Sequence, residues 1–232
     1  MGVKRVIIFF LVMGLATISS LGQEKLPYFC MEEGVTLEYV RRTTDGDIKW
    51  YHTMRICNIE SSEDGAEVEY TSHILNRRRK GYYGEAPAEL SALISEGKVT
   101  LNVGESVAAV FRTIFPRNDR ISSMGGLSTL PSDMVPGDTL PEAHASVKLL
   151  GLTMNIDVTQ RGVLRFETIR TPAGEYECVV IRESKVEKGM GRNRHTIADT
   201  WYARGVGMIR HDTYNKDMEL QTSEVLVSLN CL

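Results

Sequence analysis

What most limits the folds open to this chain is an alternation of side chains with period two, repeated in four stretches. In residues 47–58 one set is Ile48, Trp50, His52, Met54 and Ile56, set against Lys49, Tyr51, Thr53 and Arg55. Residues 66–75 oppose Val68, Tyr70, Ser72 and Ile74 to Glu67, Glu69, Thr71 and His73. Leu152, Met154, Ile156 and Val158 alternate with Thr153, Asn155 and Asp157, and residues 175–183 repeat the pattern through Tyr176, Cys178 and Val180. Successive side chains of a strand point to opposite sides, so this spacing buries one face of a sheet. Asp45-Gly46, Asp64-Gly65, Glu96-Gly97, Arg161-Gly162 and Ala173-Gly174 read as the turns between runs. Short turns force antiparallel neighbours, because a parallel crossover takes about a dozen residues or more. Long helices do not alternate with the strands, which disfavours a doubly wound α/β fold. The pattern predicts an all-β protein built on one large curved antiparallel sheet or open barrel.

One short helix is expected. Glu105 to Phe115 carries apolar residues at 107, 110, 111 and 114 and stops at Pro116. Residues 86–95 are ambiguous: their composition favours a helix, their position before Glu96-Gly97 a strand entering a hairpin. Residues 116–145, with Pro116, Pro131, Pro136 and Pro141, read as an irregular connection. It is the one candidate boundary between two sheet regions within a single β-rich domain, 23–232.

The first residues read as a secretory signal peptide, 1–22. Lys4 and Arg5 precede the apolar run Val6 to Ile18, and Ser20-Leu21-Gly22 offers small residues for cleavage before Gln23. The run is shorter than the roughly 18–20 residues of a spanning helix. The chain is therefore expected in the periplasm or cell envelope and not as a transmembrane protein after cleavage. Lipidation is not expected, since the first cysteine, Cys30, lies well past the run. Export permits disulfides among Cys30, Cys57, Cys178 and Cys231, in any of three pairings. None of them forms a CxxC, so a zinc knuckle has no spacing support. A net charge of −3 argues against nucleic acid as a partner.

Catalytic signatures are missing: there is no GxSxG, HExxH, phosphate-binding loop or calcium loop. Ser95-Glu96-Gly97-Lys98 fits SxxK, but its Glu-Gly reads as a turn rather than a helix start. The histidines, His52, His73, His144, His195 and His211, do not pair at metal-ligand spacing within any element. His52, flanked on its face by Trp50 and Met54, reads as a packed and hydrogen-bonded residue. No cofactor and no enzymatic activity are expected. The clearest surface signal is basic: Arg77, Arg78, Arg79 and Lys80 in one segment, Lys188, Arg192 and Arg194 in another. Both read as hairpin tips. Such tips either keep sheet edges apart or grip an anionic or lipid-like envelope ligand.

Four segments carry a family resemblance: Tyr28 to Tyr39, Leu130 to Leu140, Thr171-Pro172-Ala173-Gly174-Glu175-Tyr176-Glu177-Cys178, and Trp201-Tyr202-Ala203-Arg204-Gly205-Val206-Gly207-Met208. Together they resemble a TapB-like family of bacterial exported proteins of unknown function. The resemblance implies a curved antiparallel sheet or open barrel of the lipocalin or lipoprotein-carrier sort, and a strand over 88–95. It transfers no catalytic residue. The function expected is a non-enzymatic exported protein binding a hydrophobic or anionic ligand in its curved sheet. The alternative is an envelope assembly component that meets another protein along a sheet edge.

Overall fold

A computed structural model describes residues 26–118 and 120–231; the expected leader lies outside them. The elements are β1 (Thr36–Thr43), β2 (Ile48–Ser62), β3 (Gly65–Leu75), β4 (Ala88–Ser95), β5 (Lys98–Asn102), α1 (Val103–Ile114), β6 (Ser122–Gly125), β7 (Leu127–Leu130), β8 (Ala143–Leu149), β9 (Leu152–Thr171), β10 (Gly174–Gly189), β11 (Arg192–Ala203), β12 (Gly207–Tyr214) and β13 (Leu220–Asn230). All thirteen strands form one sheet in the order β6-β8-β9-β10-β11-β12-β13-β1-β2-β3-β4-β5-β7. The first strand pairs with the last, Thr36 opposite Asn230.

The two edges of this sheet, β6 and β7, are consecutive in the chain and separated only by Gly126. β6 pairs with β8, Ser122 opposite Lys148, and β7 with β5, Asn102 opposite Leu127. Residues 122–130 are thus one broken strand that joins both edges into a nearly closed barrel. Gly125 and Gly126 make the break, at φ 74° and 86°. A Cβ on Gly126 would come within 2.7 Å of the Ala145 Cβ and 3.0 Å of the Gly104 nitrogen.

The up-and-down path leaves two ends. The helix end carries residues 44–47, 76–87, 103–118, 120–121, 150–151, 190–191 and 215–219; the far end carries 63–64, 96–97, 131–142, 172–173 and 204–206. The alternation read from the sequence sets the inner face: Ile56 and Val68 are fully buried. Toward the far end the interior is filled by Leu37, Tyr39, Ile56, Val99 and Leu226, with Phe29 edge-on to Tyr70 at 5.4 Å. A second cluster seats α1 through Ala108, Val107 and Phe111 on Val147, Met154 and Ile156. The Asn102 side chain caps α1 by accepting the Glu105 N–H at 2.9 Å, so the helix starts two residues before the expected Glu105.

Residues 88–95 form the strand β4; Ala92 and Ile94 point into the core, and that burial outweighs helical propensity. Arg161-Gly162 is not a turn. It lies inside the 20-residue strand β9, where the register with β10 slips. The slip turns Arg161 inward, 2% exposed, and its guanidinium donates to the carbonyls of Pro141 at 2.8 Å and Thr129 at 3.3 Å and to Glu183 at 3.3 Å. Residues 116–145 are not an irregular boundary either: β6 and β7 within them complete the one sheet. On β10, Cys178 to Ile181 are buried on both faces. The outer face there is covered by Trp201, whose indole donates to Glu167 at 3.0 Å beneath Arg210. The four cysteines are free thiols, Cys30 and Cys178 in the main core and Cys57 and Cys231 exposed. Burial pushes the Cys178 thiol up to about 12, which makes it inert as a nucleophile.

Candidate functional site

Five adjacent strands place Thr200, His211, Glu224, Arg41 and Trp50 side by side in register on the inner face. Glu224 is the centre of this row. It accepts from Arg41 Nε at 2.6 Å, His52 Nδ1 at 2.8 Å and, at 3.4 Å, Trp50 Nε1. Burial alone would push its carboxyl up; the hydrogen bond and charge of His52, with the Arg41 guanidinium, overcome this and hold it well below the usual carboxylate range. With Nδ1 on Glu224, the other ring nitrogen of His52, Nε2, lies 2.9 Å from the Ser72 hydroxyl.

Serine, histidine and glutamate in that order form the relay of a nucleophilic site. Two facts argue for a structural role. Glu224 is shared with Arg41 and Trp50. Ser72 faces a hollow of only about 20 Å³ beneath Tyr83, Gly84 and Val110, room for a single water and not for an acyl group.

His211 completes the row, its Nδ1 2.8 Å from the Thr200 hydroxyl. Burial, then the nearby positive charge of Arg41, pushes its imidazole from 6.5 down to about 3 against the pull of Glu224. The folded protein therefore binds fewer protons than the unfolded chain below pH 6.5. Stability is full above that value and falls as the pH drops toward 3. Between pH 6.5 and 4.5, before most carboxylates titrate, the expected loss is about 2–3 kcal/mol. Urea unfolding across that window should show it, and His211→Gln should flatten the slope.

Nearer the helix end the lumen stays polar. Thr43, Thr222, Thr213 and Ala198 make the next row, which Glu183 ends opposite Ala198; nearer the helix end Lys185 lies opposite Thr196 and Glu187 opposite Arg194. Thr43 Oγ1, Thr213 Oγ1 and Glu187 Oε2 are buried without a hydrogen-bond partner; Arg192 Nε approaches the last to 3.0 Å, poorly aligned. Among the described residues these are the buried side-chain polar atoms left unpaired, and all of them lie in this half of the barrel.

Aromatic rings and cations surround it. Trp50 lies edge-on to Tyr82 at 5.7 Å, and Tyr82 to Tyr83 at 4.9 Å. Arg41 and Lys49 sit over the Trp50 ring at 4.8 and 5.1 Å. Burial and the charges of Arg194 and Arg41 push the Lys49 ammonium down. Burial raises the Tyr83 hydroxyl, in part against the charges of Arg192 and Arg41. Arg192 and Arg194 from the second basic segment thus converge with Lys49 and Tyr83.

The first basic segment is arranged differently. Residues 76–80 form a tight turn held by the Asn76 side chain. Arg77 reaches back to the Ile48 carbonyl, Arg79 stacks on Tyr51 at 3.6 Å, and Arg78 and Lys80 are exposed, as is Lys188. His52 and His73 do not face each other; His52 is opposite Ile74 and points inward, whereas His73 is opposite Thr53 on the other face. Arg41 and Glu224 belong to no sequence motif. Glu224 stands between Thr222 and Leu226 on the inward set of β13, and a carboxylate at an inward position is the signal that could have found it.

Two wider grooves lie elsewhere. One of about 840 Å³ runs between residues 81–89 and α1. The other, about 770 Å³, lies toward the far end between Tyr28, Phe166 and Glu177. No helix among the described residues is long and apolar enough to cross a membrane, which says nothing of strands.

The fold is similar to two solved structures. One is a protein from Bacteroides fragilis NCTC 9343 described as exported, with a YmcC-like fold: TM-score 0.72 and 22% identity over 88% of this chain and 99% of that one. The other is a protein from Parabacteroides distasonis ATCC 8503 described as a lipoprotein: TM-score 0.74 and 18% identity over 90% and 100%. No curated protein matches. A family model, DUF3108-like, matches residues 32–226; it does not single out the TapB-like group. That match spans most of the chain, which belongs to the DUF3108-like family.

Proposed function

We propose that this chain is an exported, non-catalytic binding protein of the cell envelope, and that its ligand is anionic and enters the polar half of the barrel from the helix end. One observation carries the reading. The buried Thr43 and Thr213 hydroxyls, which have no hydrogen-bond partner, and the Glu187 carboxylate, ion-paired to Lys185 and Arg192, face an interior where Arg41, Lys49, Lys185, Arg192 and Arg194 outnumber the carboxylates. Buried polar atoms without partners are rare and call for a water or ligand, and this set of charges selects an anion. Trp50, Tyr82 and Tyr83 add flat apolar faces beside those charges.

A hydrophobic ligand carried inside the sheet has less support, since the apolar half of the interior is already packed. Strand addition by a partner protein also has less, because β6 and β7 are four residues each and adjoin one another.

The chain has two tryptophans, so Trp201→Phe leaves Trp50 as the sole fluorescent reporter. Inorganic pyrophosphate should change its emission saturably, and the double variant Lys49→Gln, Arg194→Gln should abolish the response. A flat titration, together with no co-purified adduct in native mass spectrometry of protein from its own host, would refute the reading.

A further inference from the structure

We propose that the helix end of the barrel docks on the surface of an anionic lipid bilayer, with Phe115, Leu150, Leu152 and Met218 entering the headgroup layer. These residues are 40%, 62%, 59% and 41% exposed; Phe115, Leu150 and Met218 come from three separate connections at one end, and Leu152 opens β9 there. Phe115 and Leu150, far apart in sequence, line one shallow hollow with Pro116, Arg117 and Asn118.

The turns supply an independent observation. Leu150 and Met218 lie at φ 52° and 61°, in the left-handed region. Gly, Asn and Asp adopt that conformation at least cost, and a large apolar side chain gains nothing there unless it is buried. Neither Leu150 nor Met218 is. At the far end the same position of the Glu96-Gly97 turn, at φ 51° and 71°, holds a charged residue. The helix end thus accepts backbone strain to display apolar tips, which points outward for its reason.

Charge identifies the occupant. Among the described residues, exposed cations of the helix-end connections, Arg78, Lys80, Arg117 and Arg120 included, outnumber the exposed acids, of which Asp217 and Glu219 flank Met218, whereas Glu63, Asp64, Glu96 and Asp133 make the far end acidic. A bilayer with anionic headgroups attracts the first end and repels the second. Apolar points on separate loops, interleaved with cations, suit insertion between headgroups. They do not make the contiguous face of about 800 Å² per side that a stable protein partner covers. The inference does not rest on the lumen site, which uses other residues.

Flotation with vesicles tests it. The mature chain should float with phosphatidylethanolamine vesicles containing phosphatidylglycerol, not with phosphatidylcholine alone, and added salt should weaken the binding. Phe115→Asp with Leu150→Asp should lower partitioning by about tenfold or more, while Leu93→Asp, exposed on β4, should leave it unchanged. Both variants change exposed residues, and an unchanged circular-dichroism melt checks that they fold. Equal binding to neutral and anionic vesicles, no binding, or wild-type binding by the double aspartate variant would overturn the proposal. So would a dimer of the wild-type chain that the double variant dissociates, since the tips would then be covered by a second copy.

Discussion

Glu224→Ala lowers the free energy of unfolding by about 3–5 kcal/mol, because it strands the Arg41 guanidinium inside the barrel without its counter-ion. Arg41 and Glu224 side chains are 13% and 5% exposed, so water replaces little of what is lost. Trp50 and His52 lose their acceptor as well. The shift should appear in the midpoint of urea unfolding with an unchanged slope. Removing both charges, Arg41→Met with Glu224→Leu, should cost less than the single change, since no unpaired ion remains. A loss below about 1 kcal/mol for Glu224→Ala would mean the row is hydrated and does not hold the strands together.

Gly126→Val is expected to cost about 3 kcal/mol, from the left-handed backbone and the overpacking combined. The added carbon would press on Ala145 and on the Gly104 backbone, at the point where α1 begins. The Gly126 carbonyl also accepts the Val103 N–H at 2.8 Å, so a shift there disturbs the helix start. Gly151→Ala is the control. Its φ is 80°, but nothing lies within 4 Å of the added carbon, so only the backbone cost of about 1–2 kcal/mol should remain. Equal losses in the two variants would show that the joint at residues 125–126 is not tightly packed.

The strands were legible wherever one face is apolar and the other polar. β2 follows the alternation from Trp50 to Ile56 and β3 from Val68 to Ile74, with inward Ile56 and Val68 where period two puts them; at Lys49 and Cys57 the register of β2 slips. Sequence pattern and structure part where local chemistry and register disagree. Arg161-Gly162 has the composition of a turn, yet β10 pairs on both sides of it, and the irregularity is a bulge that aims a cation inward. Residues 122–130 carry two adjacent glycines, a loop signal, whereas their role is to let one strand change partners. The row around Glu224 draws on residues 41, 50, 52, 211 and 224. No spacing rule joins them, because antiparallel register between the first and last strands brings them together. His52 is packed and hydrogen-bonded, as its neighbours Trp50 and Met54 predict, but its partners follow only from that register. The basic segments were found by composition, but not the fact that one faces the lumen while the other folds back on β2.

The pairing of β1 with β13 sets an order of events during synthesis. The barrel cannot shut until β13 has been made, so β1 waits with one unpaired margin while β3 to β12 are laid down. Loop closure of that span is slow, and an idle strand margin recruits other chains. Deletion of residues 220–230, which removes β13, should therefore yield aggregates rather than a slightly less stable barrel.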